Sequence, residues 1–155
     1  MTKECLTRSC EETRELARQF ATTLQRGDIV TLIGSLGVGK TEFTRGIADV
    51  FNVSAQITSP TFSLLNIYEG SVRGQPVWLY HFDWYRLNDE EELYNMGYEE
   101  YLYSDGVSVI EWADRFPNMV PKHARRVSIE RAGEKERRIV IEGGLPIARA
   151  MSFWR

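Results

Sequence analysis

Long apolar runs are missing from this sequence. No stretch approaches the roughly 18 residues that span a bilayer, and the first residues, Met1 to Leu6, hold no hydrophobic segment suited to a signal peptide. A cytoplasmic protein without a membrane partner is the expectation. Cysteine is scarce too, with Cys5 and Cys10 the only two and His81 and His123 the only histidines. That set lacks the ligand spacing of a zinc site, so two reduced thiols are expected and no metal beyond one carried by a nucleotide. A basic excess is absent as well, since the formal net charge is −3. Free-standing nucleic-acid binders displace counterions with such an excess, so DNA is not expected as a partner. The local clusters Lys122–Arg126 and Lys135–Arg138 read first as solvated faces, with a direct RNA contact as the alternative. Repeats, low-complexity tracts and linkers are also lacking, which leaves 155 residues as one expected domain with a core over 1–142 and a tail over 143–155.

What is present follows an α/β pattern. Ser9 and Glu12 have capping-box spacing ahead of a helix predicted from Cys10 to Gln25, with Leu16, Ala17, Phe20, Ala21 and Leu24 on one face. Ile29–Ile33 is the β-branched run of a strand buried on both sides. A second helix is predicted from Lys40 to Phe51. Strands are predicted at Thr61–Tyr68, with Gly70 and Gly74 marking the turn that ends it, and at Val77–Phe82 and Val107–Ile110. Short helices are expected near Glu90–Asn95 and Tyr98–Tyr103, and a hairpin joins Arg126–Glu130 to Arg138–Glu142 around Ala132 and Gly133. The sum is a P-loop NTPase-like α/β fold, a mixed central sheet flanked by helices.

Between the first buried strand and the second helix lies Gly34-Ser35-Leu36-Gly37-Val38-Gly39-Lys40-Thr41, which fits G-x-x-x-x-G-K-[ST] at every fixed position. A chance match is expected in roughly one chain in two hundred of this length, and the strand–loop–helix context narrows it further. Glycines let backbone N–H groups close around phosphate oxygens, and the helix N-terminus adds partial positive charge. Lys40 supplies an ammonium for the terminal phosphates, and the Thr41 hydroxyl is placed to ligate magnesium. An ordinary glycine-rich turn would not explain Lys-Thr in register. The expected ligands are ATP and Mg2+.

Hydrolysis needs an acid at the end of a neighbouring strand. Asp83 closes one apolar strand and Glu111 another. Either alone is as well explained as a solvated carboxylate, but the two together beside a phosphate loop favour function. Residue types do not separate their roles. The preferred assignment puts Glu111 on magnesium and leaves Asp83 to orient water or relay to the metal. Lys40, Asp83 and Glu111 are thus the candidate catalytic residues. The acidic run Asp89–Glu92 reads as an exposed helix start, and Arg86 as a structural ion-pair partner ahead of a group that steadies transition-state charge. Of the aromatics Trp78, Tyr80, Trp84, Tyr85 and Trp112, most are expected in the core or at subunit contacts, while Trp112 is placed near the nucleotide.

These segments together, Gly34–Thr41, Ser59-Pro60-Thr61-Phe62, the run His81-Phe82-Asp83-Trp84-Tyr85-Arg86-Leu87 and the pair Glu111-Trp112, resemble the TsaE (YjeE) family. The resemblance implies an ATPase of bacterial tRNA modification, supporting threonylcarbamoylation of the adenosine 3′ of the anticodon in tRNAs reading A-starting codons. It implies the partners TsaB and TsaD, with tRNA reached only through the complex and the transfer step belonging to TsaD. It puts phosphates on Gly34–Thr41, magnesium on Thr41 and Glu111, and a catalytic part on Asp83. By the same resemblance Ser59-Pro60-Thr61 is a switch segment, and Arg137 in the last hairpin meets the nucleotide. A small-molecule kinase would instead want a lid of arginines, for which Arg115, Arg125 and Arg126 are the candidates. A nucleotide-sensing partner protein would share every binding residue and differ in rate. A GTPase would carry an Asn-Lys-x-Asp segment, which the sequence lacks.

Overall fold

A computed structural model describes residues 2–35, 37–58 and 64–143. Seven strands form one mixed sheet: β1 (Thr2–Thr7), β2 (Ile29–Ile33), β3 (Leu65–Val72), β4 (Gln75–Asp83), β5 (Val107–Glu111), β6 (Arg125–Arg131) and β7 (Arg137–Glu142). Their order across the sheet is β1-β7-β6-β2-β5-β4-β3. The run β6-β2-β5-β4 is parallel throughout, and antiparallel neighbours close both sides. Helices α1 (Cys10–Ala21) and α2 (Lys40–Val50) cover one face. The other carries α3 (Glu90–Asn95), α4 (Tyr98–Leu102) and two 3-10 turns at Ala113–Arg115 and Pro117–Met119. The α/β reading with a mixed sheet holds.

Alternation along the strands sorts the core into two layers. Val30, Leu32, Leu79, Val109, Val127 and Ile129 meet Ala17, Phe20, Phe43 and Ile47 on the α1/α2 face. Ile29, Phe82 and Ile110 meet Trp84, Leu87, Leu93 and Leu102 on the other. Each such side chain removed from water contributes about 1.5–3 kcal/mol before ordering costs. Gly46 lets α1 and α2 approach closely, since a Cβ there would stand 2.5 Å from both Ala17 Cβ and the Arg14 carbonyl oxygen. On the rim of that contact Arg14 makes a bidentate pair with Asp49 at 2.7 and 2.8 Å, and Arg18 adds a third bond at 2.9 Å.

Several boundaries differ from expectation. Helix α1 stops at Ala21, four residues early, because the Thr22 and Thr23 hydroxyls bond back to the Gln19 and Phe20 carbonyls. Its capping box is half formed: Ser9 Oγ accepts from Glu12 N, but the Glu12 carboxylate takes the Arg8 N–H. β3 lies at Leu65–Val72 rather than Thr61–Tyr68, and Gly70 sits inside it. The reason is packing: a Cβ on Gly70 would stand 2.4 Å from the Phe51 carbonyl oxygen, so this glycine marks a close approach rather than a turn. The turn falls at Arg73 and Gly74, both at positive φ. β1 was not expected at all, since its residues are mostly polar and exposed, as befits an edge strand held by backbone pairing to β7. The switch candidate Ser59-Pro60-Thr61 and the tail beyond Gly143 lie outside the described residues.

The Asp49 carboxyl is held below its ordinary value of 3.8, chiefly by the Arg14 hydrogen bond and against the opposing effect of burial, with Arg18 assisting. A depressed carboxylate contributes stability above the unfolded value, and that stability disappears as pH falls through the folded one. Arg14 and Asp49 are about a third exposed, at 35% and 32%, so screening limits the gain. Urea unfolding of Asp49→Asn should show a loss of about 1 kcal/mol near neutral pH. The difference from wild type should close as pH drops below 3.8.

Candidate functional site

The site lies at the C-terminal edge of the parallel strands, where ligands gather in open α/β sheets. There β2 runs into the phosphate loop and the loop into α2. Within the loop Gly37 has φ +74° and Gly39 φ +119°, and a Cβ on either would meet nothing within 4 Å. The left-handed backbone disfavours side chains while leaving open space in front of the amides, which is the cradle an anion needs. Gly34 is confined differently: a Cβ there would be 2.7 Å from the Ile129 carbonyl oxygen. Gly34, Ser35, Gly37, Val38 and Gly39 lie between β2 and α2, Lys40 and Thr41 open α2, and Leu36 is outside the described residues.

Lys40 is the first residue of α2 and is buried. Its Nζ donates to the Gly34 carbonyl at 2.7 Å and stands 3.6 Å from the centroid of the Trp112 ring. Burial pushes its pKa below the ordinary lysine value, while the charges of Glu111, Asp83 and Asp114 pull it back up. The two candidate carboxylates are brought together: Asp83 and Glu111 stand opposite each other in the β4–β5 register, and Glu111 is in turn opposite Leu32 of β2. Glu111 is 4% exposed and pairs with the His81 ring, Nε2 to Oε2 at 2.6 Å. Asp83 Oδ1 accepts from the Tyr85 backbone N–H at 2.9 Å. Burial raises the Asp83 pKa, the Tyr85 bond opposes that, and nearby Glu111 raises it further.

Trp112 is held by a backbone conformation that tryptophan rarely adopts, with φ 62° and ψ 33°. Such a left-handed residue costs about 1 kcal/mol or more, and functional sites are where that cost is retained. The turn sets the indole beneath Lys40, with the Tyr85 ring 4.8 Å away on centroids. Arg137 also reaches the loop, donating Nε–H to the Val38 carbonyl at 2.9 Å while another nitrogen bonds the Glu136 carbonyl. Beside it opens a cleft of about 530 Å3 lined by Ser9, Cys10, Thr13, Gly39, Glu42 and Lys135, among others. That volume suits a ligand of nucleotide size.

Sequence reasoning missed His81, Ser9, Cys10 and Thr13 as site neighbours. His81 carried a signal, since it precedes Asp83 by two and so shares its face of β4. The start of α1 gave none, because only tertiary packing brings it to the loop. Arg86 is exposed and forms no ion pair among the described residues, contrary to expectation. Trp78, Tyr80, Trp84 and Tyr85 divide: Tyr80 and Trp84 are core, whereas Trp78 and Tyr85 are exposed at 48% and 44%. Asp89 caps α3 by accepting from Glu92 N, as the exposed helix start required. Cys5 and Cys10 are free thiols. No group of three or more His, Cys, Asp and Glu able to hold a metal occurs among the described residues. No helix among them is long and apolar enough to cross a membrane.

A central parallel sheet whose first interior strand feeds a glycine loop and helix, beside paired strand-end acids, places the chain in the P-loop NTPase-like class. The family model "Threonylcarbamoyl adenosine biosynthesis protein TsaE" matches residues 7–139, and the chain belongs to the TsaE family. It is 39% identical over 129 residues to the tRNA threonylcarbamoyladenosine biosynthesis protein TsaE of Bacillus subtilis, covering 83% of this chain and 78% of that one. The protein of that name from Treponema pallidum is 35% identical over 137 residues, covering 88% and 98%. The crystal structure of Bacillus subtilis YdiB superposes with a TM-score of 0.75 and 32% identity, over 93% of this chain and 86% of that chain.

Removing the Lys40 charge should leave Asp83 harder to ionise, because the ammonium now favours the carboxylate. In Lys40→Met the Asp83 carboxyl carbon, followed by 13C NMR against pH, should titrate at a higher pH than in wild type. An unchanged midpoint would place the two groups out of electrostatic reach.

Proposed function

We propose that this chain is a magnesium-dependent ATPase that supports threonylcarbamoylation of tRNA, working with TsaB and TsaD on the adenosine 3′ of the anticodon. The observation that carries the reading is Lys40, buried at the mouth of an open glycine loop with Glu111 and Asp83 in electrostatic reach. The loop amides and Lys40 would bind the phosphates. Thr41 and Glu111 would hold the magnesium, and one carboxylate plus phosphate oxygens is the donor set that ion prefers over an all-protein cage. When bound, the ion neutralises developing charge on the phosphate oxygens. Asp83, anchored by the Tyr85 N–H, would orient the attacking water. Ser9, Thr13 and Arg137 line the cleft into which the rest of the nucleotide would extend.

The kinase alternative draws no support from the arginines it needs. Arg115 donates to the Leu87 carbonyl, Arg125 stacks over the Phe20 ring at 4.4 Å, and Arg126 pairs with Glu142. Arg125 and Arg126 open β6, at the end of the sheet away from the loop. The family names of the relatives supply the tRNA context. With no second arginine converging on the loop among the contacts described, turnover is expected to be slow alone and stimulated by partners.

Phosphate release from Mg-ATP, measured with and without purified TsaB–TsaD, tests this directly. Stimulated release that falls at least about tenfold in Glu111→Ala supports the reading. Tight binding without release in any mixture would replace the ATPase by a nucleotide sensor. Equal release with and without the partners would remove the coupling.

A further inference from the structure

His81 takes no part in the reading above, yet it is fully buried, and its Nε2 stands 2.6 Å from Glu111 Oε2. A carboxylate oxygen only accepts, so Nε2 carries the hydrogen and donates it. The other ring nitrogen, Nδ1, is then buried with no hydrogen-bond partner among the described residues. Leaving a polar atom unsatisfied in a core costs on the order of 1–3 kcal/mol. The sequence places this imidazole among Leu79, Val109 and other apolar side chains of the sheet, where an aliphatic residue would avoid that cost. Among the described residues, the hydrogen bond its ring makes is the one to Glu111.

That bond fixes which oxygen Glu111 can offer. Oε2 is tied at short range to a ring that is itself 0% exposed, so turning the carboxylate to present both oxygens to one cation would strain that bond. Oε1 remains as the donor. Single-oxygen coordination suits magnesium, which demands near-ideal octahedral geometry at about 2.0–2.1 Å. Calcium, larger and taking more oxygens, gains from bidentate carboxylates at about 2.3–2.6 Å. We infer that His81 is a positioning residue that holds Glu111 to one-oxygen coordination and thereby selects magnesium over calcium at the nucleotide site. The inference rests on the Mg-ATP reading and assigns its ion specificity to a residue that does not touch the ion.

The test uses the whole chain with a non-hydrolysable ATP analogue, titrated calorimetrically over a range of Mg2+ or Ca2+ concentrations. His81→Met keeps the bulk and loses the donor, while His81→Gln keeps a donor near the position of Nε2. In His81→Met the Mg2+ concentration for half-maximal analogue binding should rise about tenfold, the scale on which outer-shell partners act. The Ca2+ requirement should change less, so the magnesium preference narrows, and His81→Gln should restore it. A residue needed only for folding would weaken both ions alike. An unchanged ratio of the two ions in His81→Met overturns the inference while leaving the Mg-ATP reading in place. Analogue binding by wild type that needs no divalent ion overturns both. A second measurement needs no variant: the His81 Nε2–H proton, seen in 15N-edited NMR of wild type, should persist when Mg2+ and analogue are added. Its loss on loading would show that the bond breaks and would overturn the inference.

Discussion

Three ionisable groups are buried or half-buried at the C-terminal edge of the sheet, and each takes its hydrogen bond from outside the trio rather than from another of the three. Lys40 gives its hydrogen bond to the Gly34 carbonyl, Glu111 takes one from the His81 ring, and Asp83 takes one from the Tyr85 backbone. Direct collapse of the ammonium onto a carboxylate would fill the site with an ion pair, at a desolvation cost that such pairs often fail to recover. Held apart, the charges keep their fields directed at the space over the loop. Much of the local architecture serves that separation. The parallel register sets Asp83 beside Glu111, the left-handed Trp112 puts an indole beneath Lys40, and Gly37 and Gly39 keep the anion side open.

The loop is also tied down from behind. Arg137 of β7 binds the Val38 carbonyl, and Gly34 abuts the Ile129 carbonyl of β6. The hairpin of the last two strands thus forms one wall of the loop, and α1 forms the other side of the neighbouring cleft. Here the sheet, the helix pair and the site depend on one another, because α1, packed on α2 and bridged to it by Arg14–Asp49, carries Ser9 and Thr13 to the cleft beside the loop.

Much of this was legible in the residues. The strand–loop–helix unit declared itself through β-branched burial on one side and Lys-Thr in register on the other. Asp83 and Glu111 were visible because each ends an apolar run, and the register places them side by side. Trp112 was expected near the nucleotide from adjacency to Glu111, and its ring lies beneath Lys40. β1 was illegible because an edge strand is held by backbone hydrogen bonds and shows solvent on both faces, which leaves no alternation to read. Gly70 misled for a related reason: a glycine required by a neighbouring carbonyl looks, in sequence, like a glycine required by a turn. His81 was passed over although it shares the Asp83 face of β4, because its partner Glu111 lies thirty positions away on another strand.

The pairing of β1 with β7 reaches across almost the whole described chain, as the Glu4–Arg138 bond, 134 positions apart, makes plain. Contacts of such long sequence separation form late, since loop closure must precede any gain from them. On the ribosome, β1 emerges early and has no strand to pair with until β7 follows it out. The edge that positions Ser9 and the hairpin that carries Arg137 therefore come together only after β7 has emerged. A nascent chain can assemble the phosphate loop between β2 and α2 well before the cleft beside it has both walls.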